Sequence, residues 1–164
     1  METQEYLANQ FKKLTTIYYA LLFGMLMVFG IAVLLTSQTG AFMPEAARSQ
    51  ILRFWIPVVI IGLIPLSYML YNGNTKNFRQ ESDLKAKTDA FVRASILRLA
   101  MLEAAGTLAA VSFILTNSRQ NTYLFVAVVV FFLLATPGPG RFINDLNIRG
   151  EDKKTVEQTL RRRK

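Results

Sequence analysis

Residues Leu14–Thr36, LTTIYYALLFGMLMVFGIAVLLT, run for 23 positions without a charge. At about 1.5 Å rise per residue, a helix of that length crosses the ~30 Å hydrocarbon core of a bilayer with some tilt. Lys12-Lys13 stand immediately before it, and residues 1–13 are otherwise mostly polar. Within Gln4–Lys13, the side chains Tyr6, Leu7 and Phe11 give a weak apolar face, which predicts a short interfacial helix ahead of the first span. The apolar run is longer than a signal-peptide core and no small-residue cleavage site follows it, so a cleavable leader is not expected.

Working outward, three more runs repeat the pattern. Ser37–Gln50 is polar, holds Gly40 and Pro44, and reads as a loop. The second span covers about 51–71. Arg53 is placed to snorkel near its outer end, Trp55 and Tyr71 to serve as belt residues at its two ends, and Pro57 and Pro65 to bend it. Asn72-Gly73-Asn74 reads as a turn. Leu84, Thr88, Phe91 and Ser95 then recur at helical spacing. They predict a cytoplasmic helical extension over about 82–95, capped by Ser82 with Asp83 in its first turn, running straight into a third span at about 96–116. Asn117–Asn121 leaves room only for a tight turn. A fourth span, about 122–136, is short, rich in Val and Phe, and ended by Pro137-Gly138-Pro139-Gly140. Residues 137–164 form a basic tail. Its first part is held by Phe142, Ile143, Leu146 and Ile148 against the bilayer or the bundle, and Asp152–Leu160 is expected to form a surface helix.

The expected fold is therefore all-α: a polytopic membrane protein with four transmembrane helices in an antiparallel bundle over residues 14–136. Only closed hydrogen-bonded helices or barrels satisfy the backbone in hydrocarbon. Orientation follows from charge. With the N-terminus inside, only Arg48, Arg53 and Arg119 lie outside, and 16 of the 19 Lys and Arg residues face the cytoplasm. Both termini are expected to be cytoplasmic, in a membrane read as a prokaryotic inner membrane from the brevity of the outer loops.

Composition narrows the chemistry. The chain has neither cysteine nor histidine, so disulfides, thiol catalysis and the usual haem, copper and catalytic-zinc ligand sets are not expected. No phosphate loop, nucleophile elbow or zinc-protease motif is present. No cofactor, metal or enzymatic activity is expected. The net charge of +8 is accounted for by topology, and no segment outside the spans is large enough to read nucleic acid.

Three groups of residues remain as candidates. Glu103 is the only carboxylate within a span, and its face carries Ala100, Gly106, Thr107 and Ala110. Tyr18, Tyr19, Ser67, Tyr68 and Thr136 reach a similar depth, so Glu103 is a candidate proton or cation site hydrogen-bonded among them, or else a polar staple between helices. Ala20, Gly24, Gly106 and Ala110 have the small-residue spacing that lets helices approach closely. Arg161, Arg162, Arg163 and Lys164 form a cluster suited to anionic lipid headgroups.

The third span, the proline-ended fourth span and the following Arg141…Asp145-Leu146…Ile148 are similar to small uncharacterised four-span bacterial inner-membrane proteins, a resemblance that covers about the C-terminal half and implies no known activity. Arg98–Ala110, one Glu among alanines, superficially resembles the proton-carrying helix of rotary ATP synthase rings. The likeness covers one helix, and the bulky, proline-bearing first two spans depart from the glycine-rich hairpins of that family. The functional expectation is an accessory or scaffolding subunit that packs on a larger membrane partner or forms a homo-oligomer. The alternative is a small transporter or channel component using Glu103.

Overall fold

The computed structural model describes residues 2–42, 54–79, 83–148, 150, 153 and 156. Regular structure among them is entirely helical: α1 (Glu2–Thr39), α2 (Ile56–Lys76), α3 (Leu84–Thr116), α4 (Arg119–Leu134) and α5 (Pro139–Asp145). The first three are each long and apolar enough to cross a membrane, and a fourth joins them if α4 and α5 count as one broken span.

Several helix ends differ from the sequence expectation, each for a local reason. The N-terminal segment is not a separate interfacial helix: α1 runs unbroken from Glu2. Leu7, Phe11, Leu14 and Tyr18 fall on one buried stripe at i, i+4, i+7 and i+11, and a continuous helix keeps that stripe in register. At the other end α1 continues through Thr39 and stops at Gly40, which takes φ +74° and closes its N–H on the Thr36 carbonyl. That left-handed stop is natural for glycine. Asn72-Gly73-Asn74 makes no turn and lies inside α2. Tyr71 and Thr75, four residues apart and both buried, carry the helix past it, with the Thr75 hydroxyl donating back to the Tyr71 carbonyl. Pro57 sits in the first turn, where no N–H is needed, while Pro65 is interior. At the start of α3 the cap is Asp83, whose Oδ1 accepts from the Lys85 N–H. The expected cap Ser82 lies outside the described residues, as do Pro44, Arg48, Arg53 and the cluster Arg161–Lys164.

The chain divides into two compact units. The first comprises residues 1–19, 68–98 and 136–164. Its core gathers Leu7, Phe11 and Leu14 from α1, Tyr71 from α2, Leu84, Phe91 and Ala94 from α3, and Phe142, Leu146, Ile148 and Val156 from the tail. Phe11, Phe91 and Phe142 meet mutually, two of the three contacts being edge-to-face at 5.2–5.3 Å, the geometry ring quadrupoles favour. Val156 and Lys153 are helical; the rest of the surface helix expected over 152–160 lies outside the described residues.

The second unit comprises residues 20–67 and 99–135. Its interior is lined by the small-residue face of α3, Ala105, Ala109 and Ala110, with Met25, Ile60, Val128 and Phe132. Phe29 stacks on Phe125 at 3.9 Å. Asn117 and Ser118 alone separate α3 from α4. Asn117 takes positive φ, and Ser118 caps α4 by accepting from the Gln120 N–H. Asn121, buried in the first turn of α4, donates its amide to both the Ser112 and Thr116 hydroxyl oxygens of α3, at 2.9 Å each. Most hydroxyls on the long apolar helices, such as Thr36 and Ser67, bond back to carbonyls of their own helix, which satisfies them without a partner from another helix.

Candidate functional site

Glu103 lies on α3 in the second unit and is half-buried. Its carboxylate makes no hydrogen bond or ion pair with any described residue. One turn on, the Thr107 hydroxyl is buried and also lacks a partner. The residues expected around Glu103 are engaged elsewhere. Ser67 donates to the Ile64 carbonyl. The Tyr18 hydroxyl accepts from Thr136 at 3.0 Å within the first unit. Tyr19 is 63% exposed, its ring edge-on to Tyr18. Tyr68 lies over the Arg98 guanidinium, 4.6 Å from ring centroid to Cζ. The structure thus ties none of the expected tyrosines or Ser67 to Glu103 by a hydrogen bond.

The helix-packing candidates divide. A side chain on Gly106 would run into Met25, with Cγ at 2.8 Å and the sulfur closer, and meet Val128 Cγ1 at 3.6 Å. Gly106 is therefore a point of close approach, and Ala110 beside it is fully buried. Ala20 is exposed, and a side chain on Gly24 would meet nothing. The spacing that nominates all four residues is periodic along the helix and carries no information about which face meets a neighbour.

A second constellation, which the sequence reading missed, lies wholly in the first unit. Tyr71, expected to sit in an aromatic belt, is instead buried, and its phenol donates to Asp145 Oδ2 at 2.5 Å. The Asp145 main-chain carbonyl accepts from Arg79 Nε at 2.9 Å. Arg98 is only 7% exposed and lies between two aromatic faces, Tyr68 and Tyr71, the latter at 5.3 Å. Both are cation–π distances. The charge of Arg141, on α5, acts on both Tyr71 and Arg98. The signal available in the sequence was Arg98 itself: an arginine three residues into an apolar run needs a reason to be there.

Near the N-terminus, ahead of Lys12-Lys13, the Tyr6 phenol donates to Asp89 Oδ1 at 2.5 Å and accepts from Gln10. The hydrogen bond to Asp89, with a smaller contribution from burial, holds the Tyr6 phenol above its ordinary pKa. Asp89 also lines a cleft of about 500 Å³ with Phe78, Ala90 and Arg93.

No group of three or more acidic side chains able to hold a metal ion occurs among the described residues. No protein-family model, curated protein or solved structure matches the chain. Function is therefore argued from the chain's own residues.

Proposed function

We propose that this chain is an integral membrane protein with four crossings and both termini in the cytoplasm, and that it serves as an accessory or scaffolding subunit, on a larger membrane protein or as a homo-oligomer. The observation that carries the reading is the uneven burial of its apolar helices. Only 17% of the most apolar window of α1, and 17% of that of α2, is buried by the chain itself, against 50% for α3. Large side chains such as Phe23, Ile31, Leu34, Ile61 and Met69 point outward. Surface of this kind suits lipid or another membrane protein. The interior polar groups serve the fold: Asn121, Ser67, Thr36 and Tyr71 each make a structural hydrogen bond. With no histidine or cysteine, we assign the chain no catalytic role.

A specific observation favours the second reading, a proton or cation pathway component. Glu103 and Thr107, one helical turn apart, both lack partners among the described residues, and an ionisable group at membrane depth is costly unless it is used. One such group makes no relay, so a pathway would need several copies of the chain.

Extraction in mild detergent or native nanodiscs, with mass determination of the intact assembly, separates the readings. A stoichiometric larger partner, or a defined oligomer inactive in flux assays, supports the scaffold. A strictly monomeric chain without a partner refutes it. An oligomer whose proton or cation flux is abolished by Glu103→Gln transfers the assignment to transport.

A further inference from the structure

The cleft beside Asp89 lies wholly in the first unit and encloses about 500 Å³, within the usual size of a ligand site. Ala86, Ala90 and Ala94 recur at every fourth residue of α3 and form its floor. Small side chains at that spacing share one helix face and leave a trough along it. Phe78, just after α2, and Leu97 line the same cleft, and both are partly exposed. Two opposite charges, Asp89 and Arg93, line it one turn apart. That spacing ordinarily favours an ion pair, yet none forms between them. Asp89 accepts from Tyr6 on Oδ1 and makes no other hydrogen bond or ion pair, and Arg93 makes neither. Lys85 stands over the Tyr6 ring and does not line the cleft.

The order of these groups along α3 selects the ligand. Leu97 belongs to the apolar run that begins near residue 96. Arg93 lies about 4.5 Å outside the start of that run, and Asp89 about 6 Å beyond Arg93, at helical rise. From the apolar end outward, the trough therefore presents an apolar lip, a cation and an anion. An ethanolamine phospholipid presents the complement in the same order: acyl chain, phosphate, primary ammonium. The geometry points to a phosphoethanolamine group bound in this cleft. Its phosphate oxygens match the planar guanidinium fork of Arg93. Its ammonium donates to the carboxylate oxygen of Asp89 that Tyr6 leaves open, with the Phe78 ring in the same cleft to receive a cation. A choline group, fully methylated on nitrogen, has no N–H to donate, so the carboxylate discriminates between the two headgroups. The position favours phosphatidylethanolamine of the cytoplasmic leaflet as the source, its chains leaving past Leu97. Only this choice of source rests on the membrane-spanning reading.

The test places the full chain in phosphatidylcholine nanodiscs with and without phosphatidylethanolamine, and separately in phosphatidylcholine with soluble glycerophosphoethanolamine. Retained lipid is read by native mass spectrometry and unfolding temperature by a thermal scan. Neither lipid carries a net charge, so a basic cluster such as Arg161–Lys164, which selects by charge, does not separate them. The expected result is preferential retention of phosphatidylethanolamine. Asp89→Asn keeps an oxygen for Tyr6 but removes the anion, and should reduce the preference by about tenfold or more, the usual effect of losing a charge-assisted hydrogen bond. Arg93→Gln should reduce it to a similar degree, and Arg93→Lys less. Protection by glycerophosphoethanolamine without a lipid preference, lost in Arg93→Gln, keeps the site and makes its ligand a free phosphoethanolamine. Equal retention of the two lipids with no protection by the soluble compound overturns the proposal. A preference that survives unchanged in both Asp89→Asn and Arg93→Gln overturns it equally. Where Asp89→Asn does not fold, an unchanged preference in Arg93→Gln decides against it alone, because Arg93 is exposed and has no partner to lose. Failure of the chain to enter nanodiscs would instead refute the membrane reading, leaving the soluble arm to decide the site.

Discussion

Replacing Gly106 by alanine should destabilise the protein, although alanine is the better helix former. In an unencumbered helix the exchange gains about 0.8–1 kcal/mol. At Gly106 the new methyl group lands on Met25, 2.8 Å from its Cγ and nearer still to its sulfur. Carbon–carbon contacts relax at about 3.5–4.0 Å, so Met25, which is fully buried, must retreat by about 1 Å. Overpacking of that size costs about 1–3 kcal/mol. The balance is a net loss of about 1 kcal/mol, and it should be conditional on Met25. In the background Met25→Ala, itself destabilising by about 2–5 kcal/mol through the cavity it leaves, the same substitution should recover the helix gain. The double variant should then exceed the sum of the two singles by about 1–2 kcal/mol. Gly24→Ala is the internal control: its methyl group meets nothing, so it should stabilise by up to about 1 kcal/mol. Equilibrium unfolding in mixed micelles measures all four. If Gly106→Ala and Gly24→Ala shift stability alike, or if coupling to Met25 falls below about 0.3 kcal/mol, the close approach of α1 to α3 at this point is refuted.

Three further outcomes are expected. Asn121→Ala should cost about 1–2 kcal/mol, because it strips the donor from two buried hydroxyls at the α3–α4 turn; the same unfolding titration reads it, and a neutral result would mean that the turn holds without the staple. Tyr71→Phe keeps the ring beneath Arg98 but leaves Asp145 Oδ2 without its phenol donor, and should cost about 1–3 kcal/mol, visible as a lowered unfolding temperature. Tyr6→Phe should flatten the alkaline limb of the stability profile. The folded Tyr6 pKa is raised, so its contribution is complete below the ordinary tyrosine value of about 10 and lost as pH climbs through the folded value; thermal scans from roughly pH 8 to 12 should show wild type losing stability that the variant never had.

The helices were legible because the signal that makes them is long and redundant. Twenty-three uncharged residues at 14–36 leave few alternatives, and Leu84, Thr88, Phe91 and Ser95 state a helical period before the third span begins. The errors fall where a local preference met a tertiary one. Asn72-Gly73-Asn74 is turn chemistry, but burial of Tyr71 and Thr75 on either side outweighs it. Gly24 and Gly106 look alike in one dimension, and only the neighbour Met25 separates them. For the candidate site the limitation was one of partners. Glu103 was visible as an isolated carboxylate, but Arg98 drew Tyr68 and Tyr71 from a helix distant in sequence, and Asp145 reached Tyr71 from the tail. No spacing rule links residues 68, 98 and 145.

The aromatic core of the first unit has a consequence for the order of synthesis. Leu7, Phe11 and Leu14 pack with Phe142, Leu146 and Val156, residues that leave the ribosome well over a hundred codons later. At about 5–20 residues per second, the earlier group waits on the order of ten seconds for the later one, while the intervening apolar helices are being made. During that interval its apolar stripe is covered only in part, by Tyr71, Leu84, Phe91 and Ala94, and the gap left for the tail is a handle for chaperones and proteases until the last contributor arrives. The core thereby acts as a seal on biogenesis: a chain whose translation stalled before Phe142 would carry its apolar helices but display an open end, which gives quality control a physical means of telling an interrupted product from a finished one.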